Sequence, residues 1–590
     1  MGRAWRYGAL GLMAWAMLGP AGRAPGTRLP GYANVDAWDT VQLRGVVQWA
    51  LARGEWPGSS AAVYWPVGFD IGGLLPNRLD HLLAAPIVAA LPFPLADTLF
   101  WWVILWAAAL GGHALGRAAG GRPGAGWAGA CVLLGSEALL REANLGHAPQ
   151  ALVAAGAWAL AAALRLRAAP AARHAWALGG WLAICGLAYW YFALFLMVAL
   201  APLLWGRPLR RLAVVALVPA LVWAPPLAGW LGAGAARPLL GATPTPDVPA
   251  AWATLGPALG FVAMHGSTLD LLWSTTPWDT TNRLGFALLL GAALGARRTA
   301  DHGRRKALVG GVLLAAVMVL GPVLRGPEGP VVVGGGVLPL PFDALRALHP
   351  LLERLSWPER WGLVLPLLLG ALLARAPRPA LWGGLVLAET LLRSGNAPLA
   401  YQDAAGSACL APLAGGEGAA LVLPLRRGAL GAARVAFQQR HLRRPVVNPL
   451  GLPPGLSAPP AWLRWLETDP GMAFLRAVED GGAPPAPGES ARRALAAQGL
   501  HLIVVDADPT GPLTEGGLNR YRATVGAWLG PPVDLGCALV WAVDPSIPLP
   551  APHPDGRGWR RARAAASTPP PALPTLIEPL FQASQAGEPR

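Results

Sequence analysis

The first 393 residues alternate long apolar runs with short polar, mostly basic connections. A membrane-crossing helix needs about 20 predominantly apolar residues, within a range of roughly 17 to 25. Runs near 4–20, 95–116, 125–140, 148–164, 175–189, 190–205, 212–231, 284–296, 307–324, 360–374 and 379–392 meet or approach that length. The stretch 175–205 reads either as one long helix or as two short ones. Loop charge chooses between them, because short loops rich in Arg and Lys stay in the cytoplasm. Arg3 and Arg6, Arg117 and Arg122, Arg165, Arg167 and Arg173, Arg207, Arg210 and Arg211, the group from Arg297 to Lys306, and Arg375 and Arg378 flank these runs. They fall on one side only if 175–205 crosses twice. The pattern therefore predicts about eleven transmembrane helices, with the N-terminus inside and the C-terminus outside. The first run is read as a retained helix rather than a cleaved signal peptide, since "GPAGRA" makes a poor cleavage site.

The pattern changes near residue 394. Short runs with strand character, "ALVLPL" at 420–425, "LHLIVVDAD" at 500–508 and "CALVWAVD" at 537–544, alternate with helical pieces at 458–479 and 490–498. The expected fold class is a polytopic α-helical membrane protein with a small C-terminal α/β extracytoplasmic domain. The expected divisions are 1–393 for the transmembrane domain, with a long first outer loop at 21–94, then 394–545 for the outer domain and 546–590 for a Pro/Ala-rich tail.

Composition supports a membrane chain. Of 590 residues 54% are hydrophobic and 13% charged, against roughly 25% charged in an ordinary soluble domain. The net charge of +15 comes almost wholly from arginine, with Lys306 the single lysine. Much of that charge lies in inter-helix loops, where it orients the chain, so no nucleic-acid partner is expected. Cys131 and Cys185 lie in apolar runs; Cys409 and Cys537 share the outer compartment, which permits a disulfide. No CxxC pair is present.

The candidate chemistry concentrates in the outer loops. "NVDAWDT" puts Asp36 and Asp39 three residues apart, an arrangement that suits a helix start with Asp36 as its N-cap and Asp39 at the third helical position. The same loop carries Asp70, Arg78, Asp80 and His81, which together could supply a carboxylate base, a guanidinium for phosphate and a metal-capable imidazole. Singly, Asp80 and His81 also read as a helix start. "SEALLREANLGHAPQA" at 136–151 places Arg141, Glu142 and His147 at the outer edge of the third run, with Glu137 and Arg141 spaced to pair along a helix. "LSWPERWGLVLPLLLGALLARA" places Arg360 before the tenth run, where it suits either an anionic headgroup or an interfacial anchor beside Trp361.

The order of parts, together with "VYWPVGFDIGGLLPNRLDHLLAAPI", the Arg360 segment, and "ALVLPL", "RRPVVNPLG" and "GLHLIVVD", resembles the GT-C superfamily of integral-membrane glycosyltransferases, through its uncharacterised bacterial members. The resemblance implies a polyprenyl-phosphate sugar donor that reaches the site through the lipid, and a first-loop acidic residue acting as base or metal ligand. Asp36 is the first choice for that role and Asp39 the second. The D-x-x-D spacing departs from the D-x-D or E-x-D common in that superfamily. A divalent Mg or Mn ion is compatible with the resemblance, and the acceptor is not specified by it. Asp70, Arg78, Asp80, His81, Arg141, Glu142, His147 and Arg360 are then expected to contact substrate, in a bacterial inner membrane. The competing expectation is a non-enzymatic transporter, flippase or envelope assembly protein, although no paired broken segments suggest an inverted repeat.

Overall fold

The computed structural model describes the chain except residues 1–2, 33–34, 55–58, 71–78, 236–283, 320–324, 327–328, 331, 334–335, 338–339, 348–357, 395–396, 426–434, 436–437, 449–458, 483, 508–512 and 555–590. Arg78, most of the second outer loop at 232–283 and most of the C-terminal tail therefore lie outside the described residues. So do the side chains of Asp36, Asp39 and Asp70.

The principal helices are α1 (Arg3–Met17), α2 (Val35–Ala52), α3 (Leu79–Ala90), α4 (Leu95–Gly120), α5 (Pro123–Leu134), α6 (Glu137–Asn144), α7 (Ala154–Ala168), α8 (Ala172–Leu204), α9 (Leu209–Ala235), α10 (Phe286–Arg297), α11 (His302–Val319), α12 (Leu365–Leu373) and α13 (Pro379–Arg393). Four shorter helices follow: α14 (Pro460–Thr468), α15 (Pro470–Glu479), α16 (Glu489–Ala497) and α17 (Glu515–Leu529). Among the described residues, Leu95–Gly120, Ala148–Ala168 and Ala172–Leu204 are long and apolar enough to cross a membrane; Leu79–Ala90, Gly124–Leu134, Phe286–Arg297 and Arg360–Leu373 are apolar but shorter. The chain is a helical membrane protein on that ground.

Two details depart from the sequence pattern. The run 125–140 is not one helix. The Gly135 amide bonds the Cys131 carbonyl and closes α5, and Ser136 then caps α6, its hydroxyl accepting from the Leu139 amide at 3.4 Å. A serine hydroxyl competes for backbone donors, so it starts a helix better than it continues one. The second detail concerns α2, which begins at Val35. Asp36 therefore lies within the first turn and is not the N-cap, and Asp39 follows in the next turn. Carboxylates there still favour the positive end of the helix dipole. Over 172–204 the backbone runs as one 33-residue helix interrupted at Tyr189, where φ is −155° and ψ is 102°.

Contacts divide the chain into two units. The first comprises Met1–Arg23, Leu75–Leu82 and Thr98–Tyr401. Within it α8 packs on α7, α9 and α11, α13 packs on α5, and α10 packs on α12. Small residues permit the close approach of α4 and α5. A Cβ at Gly116 would collide with the Ala125 carbonyl, and one at Gly112 with the Gly129 carbonyl. Membrane helices gain attraction from such backbone proximity, because lipid competes for ordinary apolar contacts.

The second unit comprises Ala24–Leu74, Leu83–Asp97 and Gln402–Arg590. Its sheet has the strands β1 (Ala419–Leu423), β2 (Leu500–Asp506), β3 (Val533–Asp534) and β4 (Ala538–Ala542) in the order β3-β4-β2-β1. β2 runs parallel to β1 and antiparallel to β4. All five β1 residues are buried, as expected for a strand covered on both faces. Asp469 separates α14 from α15 and caps the latter, its Oδ1 accepting from the Gly471 and Met472 amides at 2.9 and 3.0 Å, ahead of a helix that starts with proline. First-loop residues Val46, Ala62, Val63 and Tyr64 belong to the same core as this sheet. The Val446 amide donates to the Ala62 carbonyl at 2.9 Å, and the Tyr64 amide to the Asn448 carbonyl at 3.2 Å. Cys409 and Cys537 form a disulfide, with Cα atoms 6.2 Å apart.

Candidate active site

The first unit gathers four of the residues singled out in the sequence. Ser136 starts α6, and Gly146, at φ +80°, turns the chain sharply after it. The turn is secured where the His147 amide donates to the Glu142 carbonyl at 2.8 Å. That return brings the imidazole Nδ1 to 2.6 Å from Glu142 Oε2, while Arg141 Nη2 lies 3.2 Å from Oε1. Glu142 is buried, with 1% of its surface exposed; the side chains of Arg141 and His147 keep 14% and 15%. Arg360 belongs to the 3-10 turn Pro358–Leu363, and its Nη1 donates to the Tyr189 hydroxyl at 2.8 Å. The non-helical residue of α8 is thus the one that holds Arg360. Beside it, Trp361 is fully buried and stacks on Phe195 with ring centroids 4.4 Å apart.

Burying a lone carboxylate would be costly and would keep it protonated. Burial does push the Glu142 pKa upward, but Arg141, His147 and Arg360 outweigh it and bring the carboxyl down to about 2. Glu142 is therefore ionised at neutral pH. Arg141 contacts that carboxylate directly, and Arg360 acts on it electrostatically. Partly exposed guanidiniums beside a buried anion are suited to a phosphate-like group. Neighbouring polar contacts fix the surroundings: the Ser394 hydroxyl lies 2.6 Å from Glu137 Oε2, and Asn144 Oδ1 accepts from the Ala400 amide at 2.8 Å.

Asp80 and His81 open α3 as a separate pair, with Asp80 Oδ2 3.7 Å from His81 Nδ1 and Asp80 itself buried. Asp70 lies in a two-stranded hairpin, Phe69–Asp70 against Ser59–Ser60, within the second unit. Asp36 and Asp39 also belong to that unit, on α2. Among the described residues, no group of three or more His, Cys, Asp or Glu side chains is placed to hold a metal ion. Glu142 does not fit one, since both its oxygens are engaged by Arg141 and His147.

The second unit holds a polar network that the sequence did not announce. Asp97 is fully buried, and Arg44 Nε bonds its Oδ1. Arg440 Nη2 bonds Oδ2 at 3.1 Å, and Arg440 Nη1 donates to Gln48 Oε1 at 3.0 Å. Gln42 donates to Gln439 Oε1 at 2.9 Å, and Gln439 donates to the Ala62 carbonyl at 2.6 Å. Burial lowers the Arg440 pKa and Asp97 counters that effect. A Cβ at Gly45 would lie 2.7 Å from Arg440 Cδ, so glycine makes room for the guanidinium stem on α2. Asp97 and Gln48 looked like incidental polar residues because their common partner, Arg440, is 343 and 392 positions away, and Arg44 joins them only through Asp97. The i,i+4 spacing of Arg44 and Gln48 on one helical face was the available signal.

No family model matches the chain, and no curated protein matches it. Among solved structures it is similar to the Archaeoglobus fulgidus oligosaccharyltransferase in complex with Zn and sulfate, at 12% identity and a TM-score of 0.43 over 89% of this chain and 70% of that one. It is similar to ArnT from Cupriavidus metallidurans bound to undecaprenyl phosphate, at 15% identity and a TM-score of 0.39 over 93% and 100%. It is also similar to the archaeal oligosaccharyltransferase AglB from Archaeoglobus fulgidus in complex with an inhibitory peptide and a dolichol-phosphate, at 10% identity and a TM-score of 0.42 over 85% and 70%.

Proposed function

We propose that this chain is a membrane glycosyltransferase that moves a sugar from a polyprenyl-phosphate donor to an acceptor outside the bacterial inner membrane. The observation that carries the reading is the cationic cluster of Arg141 and Arg360 around ionised Glu142, at the ends of apolar helices. A lipid-borne phosphate needs such a site, reachable from the bilayer. A first-loop carboxylate, Asp36 before Asp39, takes the proton of the acceptor hydroxyl as that oxygen bonds the anomeric carbon. The bond from the anomeric carbon to phosphate breaks, and Arg141 and Arg360 stabilise the charge left on the lipid phosphate.

The associated topology has about eleven crossings, the N-terminus in the cytoplasm and the second unit outside. The Cys409–Cys537 disulfide supports an outer location, since such bonds persist in oxidising compartments. Two crossings within Ala172–Leu204 would use the break at Tyr189, leaving about 25 Å and 22 Å of helix on its two sides at 1.5 Å per residue.

The test is a strain lacking the protein, complemented with wild type, Asp36→Ala or Asp39→Ala, with glycans and glycolipids profiled at matched protein level. The expected result is loss of a product in one aspartate variant. Unchanged profiles in both variants would sink the first-loop assignment. The broken helix at Tyr189 favours a second reading as a lipid-phosphate transporter, because interrupted helices often line transport paths. That reading predicts translocated lipid phosphate with no new glycosidic bond.

A further inference from the structure

We propose that the arginine-bearing ends of α4, α7, α8, α11 and α12 in the first unit form a binding site for the headgroup of an anionic phospholipid. The site is separate from the Glu142 cluster, which precedes α7, whereas Arg167 stands in the last turn of α7. It does not depend on sugar transfer.

An arginine that only orients a membrane chain can stay in solvent, as Arg165 and Arg298 do. Arg304 does not, since it keeps 9% exposure. Its Nη2 donates to the Ala118 and Ala119 carbonyls at 3.1 and 3.3 Å, in the last turn of α4. Arg375, just past α12, donates from Nε to the same Ala119 carbonyl at 2.9 Å. The two ends are close enough that a Cβ at Gly120 would collide with the Ala374 carbonyl. Arg167 Nη1 donates to the Leu203 carbonyl at 3.0 Å, at the end of α8, and Arg207 Nη1 donates to the Arg167 carbonyl at 3.1 Å. Arg167 Nη2 also borders the start of α11, where a Cβ at Gly303 would lie 2.8 Å from it. Arg167, Arg207 and Arg375 are half-buried.

Carbonyls accept these hydrogen bonds but leave the charge in place. Among the described residues, none of Arg167, Arg207, Arg304 and Arg375 has a carboxylate within 4.0 Å. Asp301 acts on Arg167 and Arg304 from further away, and its Oδ1 already accepts from the Arg304 amide at 2.9 Å as the cap of α11. Arg375 and Arg167 repel the Arg304 charge. The Nε atoms of Arg304 and Arg207 are buried with no hydrogen-bond partner among the described residues. Guanidiniums gathered partly out of water without a paired carboxylate are costly until an anion joins them. A phosphodiester supplies that anion, with oxygens that the planar fork of arginine engages in pairs. Its carrier is a lipid because of where the cluster stands. The arginines mark the ends of apolar helices, and Trp205 and Leu209, on either side of Arg207 in the chain, are 84% and 83% exposed. Exposed aromatic and apolar side chains beside such arginines suit the headgroup level of a bilayer, where basic pockets between helices take anionic lipids.

The experiment measures binding of fluorescent dioleoyl-phosphatidylglycerol to the full-length protein in zwitterionic detergent micelles. Dioleoyl-phosphatidylethanolamine and inorganic phosphate serve as competitors, at about 0.15 M salt, where charges more than about 8 Å apart are screened. Phosphatidylglycerol should bind more than about tenfold tighter than phosphatidylethanolamine, and Arg167→Gln and Arg375→Gln should each weaken it about fivefold. Arg298→Gln removes an exposed charge that makes none of these contacts and should leave binding unchanged. Unfolding temperatures in lipid-free micelles check that each variant folds. Arg167→Lys and Arg375→Lys, which keep the charge and lose the fork, should bind between wild type and the Gln variants. Equal binding of the two lipids overturns the site, as does an Arg298→Gln loss equal to that of Arg375→Gln, which would mean diffuse surface charge. Displacement of phosphatidylglycerol by inorganic phosphate at equal concentration overturns the lipid as occupant.

Discussion

Two carboxylates in this protein are buried against pairs of arginines, and they differ in what surrounds them. Asp97 is wholly inaccessible, and so almost are its partners, with Arg44 at 2% and Arg440 at 5% exposure. Both its oxygens are taken by guanidinium nitrogens, and Gln48 continues the network into α2. Glu142 is equally buried, but Arg141 and His147 reach partial exposure, and Arg360 is half-buried. The first arrangement is closed to solvent, with each Asp97 oxygen held by a guanidinium. The second is a buried anchor for cationic groups that can still meet a ligand. The same residue types therefore serve cohesion in one unit and, in the function proposed above, binding in the other, and accessibility of the partners makes the difference.

The comparison can be broken most forcefully at Asp97. Asp97→Ala would leave two buried guanidiniums facing each other, and removal of one partner from a buried pair costs about 3–5 kcal/mol. Thermal unfolding and steady-state accumulation should show the loss; a stable, abundant variant would mean the network is not closed. Opening the Cys409–Cys537 bond by Cys409→Ser should destabilise the second unit by about 2–5 kcal/mol, read as increased proteolysis of that unit without added reductant. In the open cluster the expected cost falls on binding instead. Arg360→Lys retains charge but not the planar fork, and should weaken undecaprenyl-phosphate binding about tenfold, or ~1.4 kcal/mol, with little change in unfolding temperature. Glu142→Gln sharpens the contrast through pH. The carboxyl's pKa is near 2 in the folded chain and about 4.3 when unfolded. Its contribution to stability is therefore present above about pH 4.3 and fades as pH falls toward 2. The stability difference between wild type and Glu142→Gln should stay level from pH 7 to 5 and shrink below pH 4. The smallest effect belongs to the cap between α14 and α15. Asp469→Ala should cost about 1 kcal/mol by leaving the Gly471 and Met472 amides without their acceptor.

Much of the helical pattern was legible because burial in lipid requires long apolar runs, whose ends can be read from composition. Strands at 419–423, 500–506 and 538–542 lie within or beside the runs that suggested them, since buried strands need unbroken β-favouring residues. Arg141, Glu142, His147 and Arg360 stood out singly as charges at membrane edges. Their meeting did not, because Arg360 reaches the cluster from far along the chain. Tyr189 was hidden inside an apolar aromatic run. The extent of α2 also escaped, because two extra residues at a helix start depend on backbone partners rather than on residue preference.

By itself the amino-acid order determined a helical membrane chain with a compositionally distinct C-terminal part, for apolar length and period are local properties. It also set which charged side chains stand at the ends of the apolar runs. Only the tertiary structure decided that the segment after the first apolar run packs with the C-terminal segment through Val46, Tyr64 and the Asp97 network. It alone brought Cys409 to Cys537 and Arg360 to Tyr189. These pairings are long-range, and a pair far apart in sequence meets only when the packing of everything between them repays the entropy of closing that loop.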